Sequence, residues 1–261
     1  MASSLSLPSR APVPWRAAVL PAVLLAAWHA AARLAVVDPN LLPAPAAVLA
    51  TSRQLLTAGE FWRAVAASLA RTLAGFAIAS AAGLALGILL GVSRLAERLV
   101  CPTFHAWRQV AVFAWIPLLS AWFGSGDACK IAFVAVAAAS PVLFNTFRGV
   151  RSLAPEHREL ARVLEVGRVR FLLGVVIPGA MPQILVGLHL AMVTSWLASF
   201  GSELFLQVSA GVGNVLAEGR ALGRMDLVLF GIAVVGAIGF GLSGAVQLVE
   251  RRVLRWRPSH P

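Results

Sequence analysis

The segment AASLARTLAGFAIASAAGLALGILLGV, Ala66 to Val92, decides the class of fold. A single charge, Arg71, interrupts an otherwise apolar run. The run is longer than the ~20 residues a helix needs to cross a hydrocarbon core ~30 Å thick. Within it, small residues recur at every fourth position, at Gly75, Ala79, Gly83, Gly87 and Gly91. On a helix this spacing makes a smooth strip that a second backbone can approach closely. Packing within the chain is the ordinary use of such a strip, and contact between subunits is the other.

Outward from this run the pattern repeats. Apolar segments cover about 17–37, 66–92, 100–123, 131–147, 175–200 and 227–249, which predicts six transmembrane helices in one permease-like membrane domain over 1–261. A Pro-rich stretch, Asp38 to Pro45, and a mildly amphipathic helix ending near Trp62 separate the first two. The first run follows Arg10 and Arg16 and is long enough to span, so it reads as a retained helix and not as a signal peptide. Bulk composition agrees, with 59% hydrophobic residues, 13% charged residues and a mean hydropathy of +0.82.

The formal net charge of +11 would suit nucleic acid only if the basic residues formed a stripe on a soluble element. Instead they cluster at the ends of apolar runs. Fourteen arginines, among them Arg94, Arg98, Arg148, Arg151, Arg251 and Arg252, fall on the side of the two termini, against six basic residues on the other side. That bias puts both termini in the cytoplasm. Cys101 and Cys129 flank one expected span and face opposite sides, which excludes a disulfide. The five histidines are scattered without metal-ligand spacing, and Gly124-Ser125-Gly126 reads as a polar turn, not an intramembrane nucleophile.

The connection Arg148–Gly174 is the longest on the cytoplasmic side, and it is patterned. Pro155 suits a first helical turn, and Glu156 and Glu159 suit the positive end of a helix dipole. Leu160, Leu164 and Gly167 recur at i, i+4 and i+7, beside Val163. This predicts an amphipathic helix over 154–170, which could lie on lipid headgroups, pack on its own bundle or enter a groove on a partner.

Glu159-Leu160-Ala161-Arg162, then Leu164, Gly167, Arg168, Pro178, Ala180 and Pro182, resemble the EAA loop of binding-protein-dependent ABC importer permeases. The likeness extends along the chain. It takes in Leu42-Pro43-Ala44-Pro45, Ser68-Leu69-Ala70-Arg71 with Gly75-Phe76, and Ile116-Pro117-Leu118 with Trp122-Phe123-Gly124. Pro141, Asn145, Gly149, Trp196, Glu203, Gly211 and Gly213 complete it, in an order similar to the nitrate, sulfonate and taurine branch. Two positions depart from the pattern. Glu165 stands where the loop usually has Gly, so that Gly167 is expected to supply the flexibility, and Ala111 stands where a proline is common.

The resemblance implies a type I importer permease in the bacterial inner membrane that pairs with a second copy of itself as a homodimer. Each copy would receive one of two ATP-binding-cassette ATPase subunits, and an external solute-binding protein would deliver a small sulfonate, nitrate or similar anion. Glu159, Ala161, Leu164, Gly167 and Arg168 would couple to the ATPase. The chain has no glycine-rich phosphate loop, so ATP and Mg belong to that partner and no cofactor is expected here.

Intramembrane polar residues are candidates for the path. Arg108 and Asn145 are two, beside the ordinary uses of headgroup placement and an interhelical hydrogen bond. Trp196 and Glu203, seven residues apart on one helix face, are two more, and Glu203 could instead brace the outer loop to Arg224. An ion-gradient-driven secondary transporter is the alternative function. It would want paired intramembrane charges or broken helices in repeated halves, and neither pattern is visible.

Overall fold

The computed structural model describes residues 14–34, 38, 41–153, 159, 161 and 163–255. The described residues are helical with connecting turns. They form α1 (Pro14–Arg33), α2 (Pro45–Thr57), α3 (Gly59–Val92), α4 (Arg94–Gln109), a 3-10 turn (Val112–Trp115), α5 (Ile116–Phe123) and α6 (Asp127–Arg151). A short turn (Arg168–Phe171) and a π-helical turn (Leu172–Val176) then lead into α7 (Ile177–Phe205), α8 (Val212–Ala221) and α9 (Met225–Val253).

Four helical stretches are long and apolar enough to cross a membrane: Gly59–Val92, Asp127–Arg151, Val169–Phe205 and Met225–Val253. They contain the expected second, fourth, fifth and sixth spans and run beyond them at both ends or at one. The expected first and third spans coincide with shorter apolar helices, Val19–Arg33 and Val112–Phe123. The third is not one helix over 100–123, because the chain turns extended at Val110 (ψ 127°) and Ala111 (ψ 129°). Before the break, α4 carries Arg94, Glu97, Arg98 and Arg108, while Ala96, Val100, Cys101 and Phe104 pack on Leu90, Leu143 and Phe144. After it, Pro117 in the first turn of α5 suits a helix start because its missing N–H would be unpaired there anyway. Ala111 has φ −58°, the value a proline ring imposes, so the position keeps a proline-compatible backbone without the residue.

The spine of the molecule is α3 against α6, and here the small-residue strip finds its use. A Cβ on Gly75 would lie 2.5 Å from Val134 Cγ1, and one on Gly83 2.7 Å from Val142 Cβ. At Gly87 it would meet Thr146 Cβ at 2.6 Å, and at Gly91 Val150 Cβ at 2.5 Å. The strip therefore packs within the chain, each glycine admitting a β-branched side chain of α6. On its other side α6 meets α7, where a Cβ on Gly187 would sit 2.8 Å from Asn145 Cβ. Ala79, Ala138, Val142 and Ala191 are buried where the three helices meet.

The glycines of α9 divide. Gly231 admits Leu216 and Gly239 lies beside Trp196, while Gly236, Gly241 and Gly244 face open space. In α7, Pro178 and Pro182 offer no N–H to the turn before them, and the π-helical widening falls directly upstream. Cys101 and Cys129 are free thiols.

Candidate functional site

Two places carry candidate chemistry, and they lie at opposite ends of α6. With 25 residues, that helix is roughly 37 Å long.

At its C-terminal end is the predicted coupling segment. Pro155, Glu156, Arg158, Leu160 and Arg162 lie outside the described residues. Glu159, Ala161 and Val163 are helical, and Leu164 falls in the turn that follows, at the end of the helix and not in the middle of its stripe. Val163 is 79% exposed and Leu164 64% exposed, two apolar side chains side by side that the rest of the chain leaves uncovered. Glu159 is exposed, Ala161 half-buried, and Gly167 exposed with open space around it.

The expectation that Gly167 supplies the flexible turn is corrected. Its backbone is not in the left-handed region, whereas Glu165 is, at φ 49°. The Val166 N–H donates to Ala161 O at 2.9 Å, the 6→1 bond of a Schellman cap with Glu165 at the left-handed position. The family's usual glycine at this point thus has a geometric reason, and this chain places a glutamate in the same conformation.

At the N-terminal end of α6 lies a buried ion network that joins five segments. Glu203 of α7 is fully buried and accepts hydrogen bonds from Ser68 Oγ (2.6 Å), from Arg71 Nη1 and from the Gly213 N–H (2.8 Å). Arg71 of α3, 3% exposed, also donates to Ala210 O. Its Nε lies 3.0 Å from Asp127 Oδ1, near enough for an ion pair but off the line of a hydrogen bond. Lys130, the only lysine of the chain, is fully buried and donates to Ser209 Oγ at 2.9 Å. Ser209 Oγ in turn donates to Asp127 Oδ1 at 2.7 Å. The Val212 N–H donates to Ser68 Oγ at 3.0 Å, and Asn214 Nδ2 to Ser209 O at 2.6 Å.

Burying charge in a bundle requires partners for every ion, and here two cations face two carboxylates. Glycine makes the approach possible. A Cβ on Gly211 would run into the Glu203 carboxyl, and one on Gly213 would lie 2.6 Å from Glu203 Cβ. Gly211 has φ −172°, open to any residue, so space and not conformation requires glycine there.

The four path candidates do not converge. Arg108 is exposed at the end of α4 with its guanidinium 4.8 Å from the Phe144 ring centroid. Asn145 donates to Pro141 O in its own helix at 2.8 Å, a local bond and not an interhelical one. Trp196 is buried and its Nε1 donates to Val235 O of α9 at 3.0 Å. Glu203 joins Arg71 in the ion network. Sequence reading missed Asp127, Ser209 and the role of Lys130, one of the six basic residues counted on the side opposite the termini. The available signal was an acid and a lone lysine one turn apart at the start of an apolar run.

Comparison with known proteins gives these features a context. The profile of the family "Binding-protein-dependent transport system inner membrane component" matches residues 83–255. A Bacillus subtilis (strain 168) permease protein, SsuC, assigned to aliphatic sulfonates transport, is 34% identical over 93% of this chain and 87% of its own length. The taurine transport system permease protein TauC of Escherichia coli (strain K12) is 32% identical over 90% of this chain and 87% of its own. The nitrate import permease protein NrtB of Leptolyngbya laminosa is 35% identical over 75% and 70%. Among solved structures, an inward-facing form of the MetNI methionine ABC transporter matches with a TM-score of 0.66 at 17% identity, over 74% of this chain and 96% of that one, a likeness of fold.

Proposed function

The chain belongs to the family of inner-membrane components of binding-protein-dependent transport systems, and from that membership we propose that two copies of it form the inner-membrane path for a small oxyanion. As an ABC importer permease it is a multi-pass transport subunit and not an enzyme. ATP hydrolysis belongs to a separate ATPase, and an external binding protein works with the pair. The finer reading has three parts. Both termini and the 148–174 loop face the cytoplasm, two ATPase subunits serve a homodimer, and the cargo is a sulfonate, nitrate or similar anion. ATP and Mg sit on the ATPase, and this chain holds no cofactor of its own. Relatives named for sulfonates, taurine and nitrate support the cargo reading, since each name denotes a molecule with an oxyanion head.

The observation that carries the coupling reading is the pair of exposed apolar side chains, Val163 and Leu164, at the C-terminal end of the helical residues 159, 161 and 163. Two neighbouring apolar side chains that their own chain leaves uncovered, on the segment that resembles the EAA loop, suit a surface that another protein covers. Full burial of Leu164 on an ATPase would contribute roughly 1.5–3 kcal/mol. Leu164→Asp removes that term and drives a charge into the contact. The expected outcome is a roughly 10- to 100-fold loss of ATPase co-purification or of coupled uptake, with normal permease in the membrane. Arg158→Ala should do much less. Normal ATPase retention and normal uptake in Leu164→Asp would sink the docking role and favour a helix on lipid headgroups.

A further inference from the structure

The two carboxylates of the buried network differ in one respect. Glu203 is sealed, with its side chain 0% exposed, and accepts three hydrogen bonds. Asp127 faces outward with its side chain 58% exposed. It occupies a pocket of donors on the near side: Ser209 Oγ at 2.7 Å and Arg71 Nε at 3.0 Å, with Lys130 Nζ bound to the same Ser209 hydroxyl. Arg71 Nε is itself buried and has no aligned acceptor. The network thus holds a cation with an unsatisfied donor, beside a fully buried lysine, covered by a carboxylate that the chain leaves more than half exposed.

We propose that Asp127 is an internal placeholder in an oxyanion site made by Arg71, Lys130 and Ser209, and that the oxyanion head of the cargo takes its place. Two cations and two carboxylates balance with Asp127 in place, so moving Asp127 aside leaves one positive charge uncompensated. A monovalent oxyanion restores neutrality and adds the geometry that Asp127 lacks. Its oxygens can accept from the Arg71 Nε–H, the Lys130 ammonium and the Ser209 hydroxyl together. The side chain has room to leave, because Asp127 is the first residue of α6 and directly follows Gly124-Ser125-Gly126, where both glycines border open space. The identity of the oxyanion as cargo rests on the reading given under Proposed function; the site itself rests on this geometry.

The test uses full-length permease in lipid nanodiscs, with methanesulfonate and nitrate as probes and thermal unfolding as the readout. Asp127→Asn keeps the side-chain shape and removes the competing charge. It should be stabilised saturably by both anions, with half-saturation at least tenfold lower than in the unsubstituted chain. Adding Ser209→Ala, in the exposed loop after α7, should raise that half-saturation again by several-fold. Adding Lys130→Met should abolish the response, and should that double variant fail to fold, the Ser209→Ala pair decides alone. Neutral dimethyl sulfone should do nothing in any variant. The proposal is overturned if Asp127→Asn shows no saturable anion response, if dimethyl sulfone acts equally, or if chloride matches methanesulfonate. Uptake of an alkanesulfonate by cells without any anion response in Asp127→Asn sinks the site alone. An anion response without oxyanion uptake leaves the site standing and sinks the cargo reading.

Discussion

The two ends of α6 solve opposite problems. At Asp127 the helix begins in a network that buries a lysine, an arginine and a glutamate, and nearly every donor there has its acceptor. At Arg151 it leads to a segment that leaves Val163 and Leu164 uncovered and holds a glutamate in a conformation suited to glycine. The first end is closed by contacts from α3, α7 and the loop 206–211. The second is open, and its cost is carried by one chain alone. Stability, with the proposed oxyanion site built into it, is therefore expected to reside at the Asp127 end and protein–protein interaction at the loop end, joined by a tightly packed α3–α6–α7 spine.

The largest effect that tests this contrast is removal of one buried ion. Glu203→Ala removes the buried carboxylate of Arg71 and leaves it only the exposed Asp127, and breaking a buried pair in this way costs about 3–5 kcal/mol. We expect strongly reduced permease levels in the membrane and a lowered unfolding temperature. The double change Arg71→Met with Glu203→Leu removes both charges and should recover much of the loss, because an apolar pair of similar volume avoids the desolvation penalty. If Glu203→Ala folds as well as the unsubstituted chain, the network is not what holds this end together.

Glycines give a sharper, smaller comparison. Gly213→Ala forces a methyl to within 2.6 Å of Glu203 Cβ and 3.0 Å of Phe200 O, neither of which is the free end of a flexible side chain. Overpacking of this kind costs about 1–3 kcal/mol. Gly167→Ala adds the same methyl in open space and should stay within about 0.5 kcal/mol. Equal effects of the two substitutions on thermal unfolding would erase the distinction between the ends.

How much of this was legible beforehand follows from the range of the contacts. The strip Gly75 to Gly91 and the apolar runs are local patterns, so the number and order of the hydrophobic segments could be read directly. The break at Val110–Ala111 was harder, because α4 mixes apolar and charged residues and its apolar positions run on in sequence into the apolar segment that follows. The ion network was invisible as a network. Ser68, Arg71, Glu203, Gly211 and Gly213 were each noticed in motifs, yet their meeting depends on contacts spanning more than a hundred residues. Asp127, Lys130 and Ser209 belonged to no motif, and only folding brings them to Arg71.

The smallest effect concerns Glu165. An L-residue in the left-handed conformation costs roughly 1–2 kcal/mol against glycine. Glycine returns part of that gain, because it loses about 0.5–1 kcal/mol more backbone entropy on ordering. Glu165→Gly should thus stabilise the cap by about 0.5–1 kcal/mol, and loss of a carboxylate near the negative end of the helix acts in the same direction. Such a local gain is too small to move global unfolding but reads out in amide exchange, where the Val166 N–H bonded to Ala161 O reports opening of the cap. After correction for intrinsic rates, we expect Val166 to exchange roughly two- to fivefold more slowly in Glu165→Gly, while the amide of Gly213, bonded to Glu203, keeps its rate. Unchanged or faster exchange at Val166 would mean that Glu165 carries no conformational cost, and that this end of α6 is no more strained than the other.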